Sequence, residues 1–251
     1  MSAPERSSLI DYALRRERGL VVVALVALTG LAWAWTLSGA GMAHAGATMQ
    51  PPSLTLLLAM WWVMMAAMML PSAAPMVLLY GRVRQQQGER AGVGSTWVFL
   101  AGYLLAWLGV SALATLLQLL TARFGLIDAM TMRSTSSLLA GVTLIAVGAY
   151  QFTPVKDACL ASCRSPASFL ARHWRPGIQG ALRVGMVHGI YCIGCCWALM
   201  ALLFVGGVMN FLWIGALTVL VAAEKLARRG PLIARLSGVI LLLWGTAKLA
   251  I

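Results

Sequence analysis

Acidic residues are scarce in this chain. It has seven Asp and Glu and three His among 251 residues. That is too few for catalysis by paired carboxylates, and no Ser/His/Asp arrangement stands out. No Gly-x-x-x-x-Gly-Lys-Ser/Thr loop is present, which argues against a nucleotide site and an ATP-driven pump. The five cysteines are too few and too unevenly spaced for the disulfide framework of a secreted domain. Internal repeats and low-complexity tracts are missing as well. Charged residues of both signs make up only 10% of the chain, against 61% hydrophobic residues. A soluble domain of this length does not carry that balance.

What is present is a series of long apolar runs. A bilayer is crossed by about 20 apolar residues in a helix. The runs over residues 20–37, 54–80, 95–120, 136–150, 184–205, 211–223 and 232–249 predict an all-α transmembrane helical bundle of about seven spans, with six as the alternative count. The whole chain, 1–251, reads as one integral membrane domain. Residues 1–19 form a basic tail, and residues 153–183 form the longest polar connection. Ala43-His-Ala45 resembles a signal-peptide cleavage site. The apolar run before it is longer than a usual signal-peptide core, so the first span is read as retained. Pro71 and Pro75 lie inside the second run and predict a kinked or broken helix there.

A net charge of +12 would point to nucleic acid in a soluble protein. Here it follows the positive-inside bias of a bacterial inner-membrane protein, and no nucleic-acid partner is implied. With the N-terminus in the cytoplasm and seven spans, all but three of the 19 basic residues fall on the inner side. The exceptions are Arg123, Arg133 and Lys248, and Lys248 is placed to snorkel to the outer interface. The C-terminus is then outside.

Three of the five cysteines sit together in Tyr191-Cys-Ile-Gly-Cys-Cys-Trp197, inside the fifth run. On a helix, His188, Cys192, Cys195 and Cys196 share an arc of about 100°. Thiolates and imidazole bind soft and borderline metals such as Cu(I) and Zn(II), and ionisable groups in a bilayer usually mark a site. Cysteine also packs between helices as a small apolar residue. Cys192 with Cys195, or with Cys196, makes the better pair, because residues three or four apart are neighbours.

Cys159 and Cys163 form a second pair in the polar connection. Asp157 is a candidate cap for a short helix that would put both thiols on one face. Ser165-Pro166 predicts the start of another short helix, whose Phe169, Leu170, His173 and Trp174 would rest on the membrane interface. In the second run, Met60, Met64 and Met68 form one stripe, and Met65 and Met69 form an adjacent one. Thioethers prefer Cu(I) and hardly bind Zn(II). Such a stripe also arises from packing alone. The predicted outer loop carries Met42, His44 and Met49. Glu224-Lys225 at the end of the sixth run reads as an interfacial pair, with proton movement by the carboxylate as the alternative.

The stretches Trp62 to Met76, Tyr150 to Lys156, Cys159-Leu-x-x-Cys-Arg-Ser-Pro166, and His188 to Met200 through Glu224-Lys225 resemble a bacterial family of predicted metal-binding integral membrane proteins. The resemblance covers about residues 20–250, and Cys-x-x-Cys-Cys-Trp is its most specific segment. One member of that family is linked to copper supply for a tyrosinase, so the resemblance implies copper delivery. The loop Met42 to Met49 departs from the family, which is richer there in Gly-Met repeats.

The combined expectation is a non-enzymatic membrane protein that binds and relays Cu(I), supplying a copper-dependent enzyme or balancing copper across the membrane, with a soluble copper carrier as a further partner. Cys192, Cys195, Cys196 and His188 would hold metal in the span. Cys159 and Cys163 would exchange it, and the methionines would line the route. A membrane thiol–disulfide electron carrier is one alternative, and a structural subunit whose cysteines only pack is another.

Overall fold

The computed structural model of the protein describes residues 3–38, 53–86, 94–126, 134 and 136–250, with side chains from Arg18 onward. Met42, His44, Met49 and Ala43-His-Ala45 lie outside the described residues. The described chain is all-α. Its helices are α1 (Ala3–Leu37), α2 (Leu54–Gln86), α3 (Gly94–Arg123), α4 (Ser137–Tyr150), α5 (Pro154–Arg164), α6 (Pro166–His173), α7 (Gly177–Ala201), α8 (Leu203–Gly206), α9 (Phe211–Leu226) and α10 (Gly230–Ala250).

Local sequence signals set many of the boundaries. Ser136, Thr153 and Asn210 cap α4, α5 and α9, each side chain accepting from a backbone N–H of the first turn. Thr153 is thus the cap of α5, not Asp157, which lies within its first turn behind Pro154. Pro166 opens α6 as expected. Gly207, at φ +94°, turns the chain from α8 towards α9, a backbone conformation that suits glycine.

Each of the seven apolar runs contributes a helix. Five stretches are long and apolar enough to cross a membrane: 18–37, 54–85, 94–123, 177–206 and 230–250. Helix α4 is 14 residues long and α9 is 16, both short of a full bilayer crossing. Together α4 and α5 pass the same test as one broken span, bent by 64° between them. The polar residues from Ala3 onward are helical and continuous with the first apolar run.

Helix α2 runs through Pro71 and Pro75 unbroken, so of the kinked or broken helix expected there the broken form does not occur. The structure shows one physical reason. Pro71 has no N–H for the carbonyl of residue 67, four positions earlier. The indole Nε1–H of Trp33 on α1 donates to that Ala67 carbonyl at 3.1 Å. A neighbouring helix supplies the missing donor, as happens for prolines in spans.

Small residues let the helices approach. Gly141 and Gly148 on α4 face Gly245 and Gly238 on α10, and a Cβ at any of the four would meet the opposite carbonyl at 3.0–3.2 Å. Helices α3 and α7 meet at Gly102 and Gly185, where an added Cβ would collide with the carbonyls of Leu182 and Phe99. Outward positions such as Val23, Leu31, Leu113, Leu212, Val219 and Leu243 leave apolar surface exposed. The core lies between α2, α3, α7 and α9, and the cysteines sit in it.

Candidate metal centre

Helix α7 buries His188, Cys192, Cys195 and Cys196 together, as the shared arc on one helix predicts. The partners come from four other helices. Tyr103 of α3 lies with its hydroxyl 3.1 Å from Cys192 Sγ. Met69 of α2 places its Sδ 3.8 Å from Cys196 Sγ. Cys163 of α5 places its Sγ 3.9 Å from Cys195 Sγ. Lys225 of α9 donates from Nζ to Cys192 Sγ at 3.0 Å. All five cysteines are free thiols.

Gly194 explains how α5 comes so close. A Cβ there would lie 2.6 Å from Cys159 Sγ, so the missing side chain makes room for this thiol. The hydroxyl of Tyr150 donates to the Gly194 carbonyl at 2.6 Å and holds the end of α4 to the same turn. Cys159 and Cys163 are half-buried, whereas the three α7 cysteines are fully buried. The two cysteine groups, separate in sequence, therefore form one sulfur-rich region.

Within α7 the three thiol side chains interact with one another, in keeping with their spacing. Cys195 and Cys196 both turn their S–H groups back to the Cys192 carbonyl, at 3.0 Å each. Among the described residues, no three His, Cys, Asp or Glu side chains are arranged to hold one ion. The sulfurs also meet in pairs across helices: Cys163 with Cys195, and Cys196 with Met69. At metal–sulfur bonds of about 2.3 Å, sulfurs this far apart would subtend roughly 110–120° at a shared ion. Each pair thus has the separation of two ligands to one soft metal.

His188 lies beside a different set of neighbours. Its buried ring sits among Phe99, Tyr103 and Phe169, with centroids 6.1, 5.8 and 5.2 Å away. Among the described residues its Nδ1 has no hydrogen-bond partner. Tyr103 connects it to the cluster, having its ring towards His188 and its hydroxyl towards Cys192. Phe169 and Leu170 of α6 turn into the bundle and are buried there. Phe169 also stacks on His173.

Met60, Met64, Met65, Met68 and Met69 are all buried. Met69 reaches the thiols. Met65 lines an apolar groove with Trp61, Ile193, Trp197 and Phe204. Met60, Met64 and Met68 pack in the hydrophobic core.

Glu224 and Lys225 do not pair with each other, which corrects the interfacial reading. Neighbours on a helix point about 100° apart. Glu224 pairs with Lys156 of α5 at 2.7 Å, with both side chains buried. Gln151 donates to Glu224 Oε1 at 3.2 Å and accepts from Lys156. Lys225 turns the other way, into the sulfur cluster. Arg164, next to Cys163, donates to the carbonyls of Glu224 and Ala227 at 2.8 and 2.6 Å and so satisfies the end of α9. Tyr103 carried no sequence signal of a place at this site, whereas Ser72 and Lys156 lie in stretches that carry the family resemblance. Lys225 carried a signal of its own, a charge closing an apolar run.

A family model described as PpoB2, copper chaperone, matches residues 58–248. No curated protein and no solved structure matches the chain.

Proposed function

The chain belongs to the PpoB2 copper chaperone family, and from that premise we propose that it is a membrane protein that takes up Cu(I) on its sulfur cluster and passes it on to a copper-dependent enzyme. The cargo is the metal, and no bond of an organic substrate is made or broken. Cys192, Cys195 and Cys196 are the central ligands. Cys163 and Met69 join them across helix boundaries, with Cys159 beside Cys163 at the more exposed end. His188 is a reserve ligand that would need its ring to turn out of the aromatic pocket.

The observation that carries this reading is the convergence of thiol and thioether sulfur from α2, α5 and α7 in one buried place, in pairs 3.8 and 3.9 Å apart. Thiolate with thioether is a donor set for Cu(I), and thioethers add little for Zn(II). Low-coordinate sulfur pairs in contact let a soft ion move between neighbours without regaining its hydration shell. The path runs from Cys159 and Cys163 to Cys195, and then to Cys196, Met69 and Cys192. The five long apolar stretches support a multi-pass location, and the basic-residue bias supports a cytoplasmic N-terminus.

The test is metal analysis of purified protein loaded with Cu(I) under reducing conditions, with the native chain beside Cys192→Ser/Cys195→Ser/Cys196→Ser. Copper should be retained by the first and lost from the second. Equal copper in both rejects the site and leaves the cysteines as packing residues. The thiol–disulfide alternative draws on the same Cys163–Cys195 contact, since two free thiols that close need little movement to join. It requires a disulfide that forms and is reduced in cycles in cells. Full alkylation of all five thiols, once metal is removed, excludes it.

A further inference from the structure

Copper binding by sulfur leaves one residue at the centre of the site unexplained. Lys225 buries its ammonium among the ligands rather than reaching out to water. It donates to Cys192 Sγ at 3.0 Å and to Ser72 Oγ at 3.2 Å, and approaches Met69 Sδ at 3.8 Å. A buried charge persists only when it is paired. The adjacent carboxylate is not its partner, because Glu224 is held by Lys156. Asp157 faces Arg235 instead. Among the described residues the ammonium is therefore held by sulfur and hydroxyl groups.

Those groups include two of the sulfurs assigned to the metal. Cys192 and Met69 present their lone pairs to a singly charged ammonium, and Cu(I) and Ag(I) are singly charged too. We infer that Lys225 is a tethered cation that occupies the empty site, leaving when a soft monovalent ion enters and returning when it departs. The inference rests on the copper-binding reading of the same sulfurs. Lys225 is in the last turn of α9, so its four-carbon stem lets the head swing from the cluster towards the helix end.

Two consequences follow from charge alone. With Cys192 as the thiolate that faces the ammonium, and Cys195 and Cys196 keeping their protons, exchange of one monovalent cation for another leaves the charge of the buried site unchanged. Each further thiol that binds as thiolate gives up its proton to solvent. A divalent ion would add a charge there, so the site discriminates against Zn(II) by charge as well as by ligand type. A ligand cluster with its own competing cation also releases metal more readily than a bare one, which suits a protein that must hand its cargo on.

The experiment uses the full chain in lipid nanodiscs with Ag(I) as the probe, titrated against a chromophoric competitor. Lys225→Leu removes the charge and adds no sulfur, so a gain in Ag(I) affinity does not come from a new thioether ligand. It should bind Ag(I) at least about tenfold tighter than the unaltered protein, release it more slowly to glutathione, and gain affinity for Zn(II). Ag(I) affinity equal to or weaker than that of the unaltered protein overturns the inference. Should that variant not fold, amine-selective labelling of the unaltered protein decides, read at Lys225 by mass spectrometry. Labelling should rise on Ag(I) loading, and unchanged labelling overturns the inference. Ag(I) binding that needs Cys192, Cys195 and Cys196 but ignores Lys225 refutes the tethered cation alone. Absence of Ag(I) binding by the unaltered protein, or binding undiminished in the triple serine variant, refutes the metal site with it.

Discussion

The buried pair between Lys156 and Glu224 fastens α5, which carries Cys159 and Cys163, to α9, which carries Lys225. Their side chains are 1% and 2% exposed, and the charged atoms are 2.7 Å apart. Glu224→Gln keeps the shape and removes the negative charge. Lys156 is then left buried with neutral acceptors. Breaking one side of a buried pair costs about 3–5 kcal/mol, because the remaining charge is uncompensated. Removing both charges avoids that cost. Lys156→Met with Glu224→Met should therefore be more stable than either single variant, by about 2 kcal/mol or more. Gln151 and Ser237 would lose hydrogen bonds with the carboxylate in the double variant, which limits the recovery. The assay is unfolding of purified protein in mixed micelles, followed by tryptophan fluorescence across the four members of the mutant cycle. Alkylation of Cys163 in the folded state gives a local reading, and it should speed up in Glu224→Gln as α5 loosens. Single and double variants of equal stability would refute the reasoning, because the pair would then not act as a unit.

Three further outcomes test other parts of the structure. Trp33→Phe leaves the Ala67 carbonyl without a donor and should cost about 1–3 kcal/mol in the same unfolding assay. In a Pro71→Ala background the restored N–H can serve that carbonyl, so the Trp33 penalty should shrink, and an equal penalty in both backgrounds would reject the explanation. Gly194→Ala should push Cys159 away from α7 and raise its alkylation rate, since the new Cβ would lie 2.6 Å from its sulfur. Pairing that change with Cys159→Ala should restore stability. For topology, reporters fused after residue 90, after residue 180 and at the C-terminus should read inside, inside and outside. A cytoplasmic C-terminus would mean an even number of crossings, with α4 or α9 not spanning.

Much of this protein was determined by its sequence alone. Apolar runs separated by polar turns specify helices at known places, because a helix satisfies its own backbone wherever side chains are apolar. Ser136, Pro166 and Asn210 mark helix starts by local chemistry. The face of α7 with His188, Cys192, Cys195 and Cys196 follows from 3.6 residues per turn. The relation between helices had no such local code. These helices are apolar nearly all round, so periodicity does not say which side meets which neighbour. Only the tertiary structure brought Cys163 to Cys195, chose Met69 from five methionines, and set His188 among aromatic rings. Only packing could show that Trp33 replaces the donor missing at Pro71. The same holds for Glu224 and Lys225. Adjacent in sequence, they look like one ion pair, but a rotation of about 100° per residue sends one to Lys156 and the other into the sulfur cluster. Contacts of this kind depend on how closely two helices approach. Here that distance is set by glycines at 102, 185 and 194, whose effect lies in the volume they leave empty.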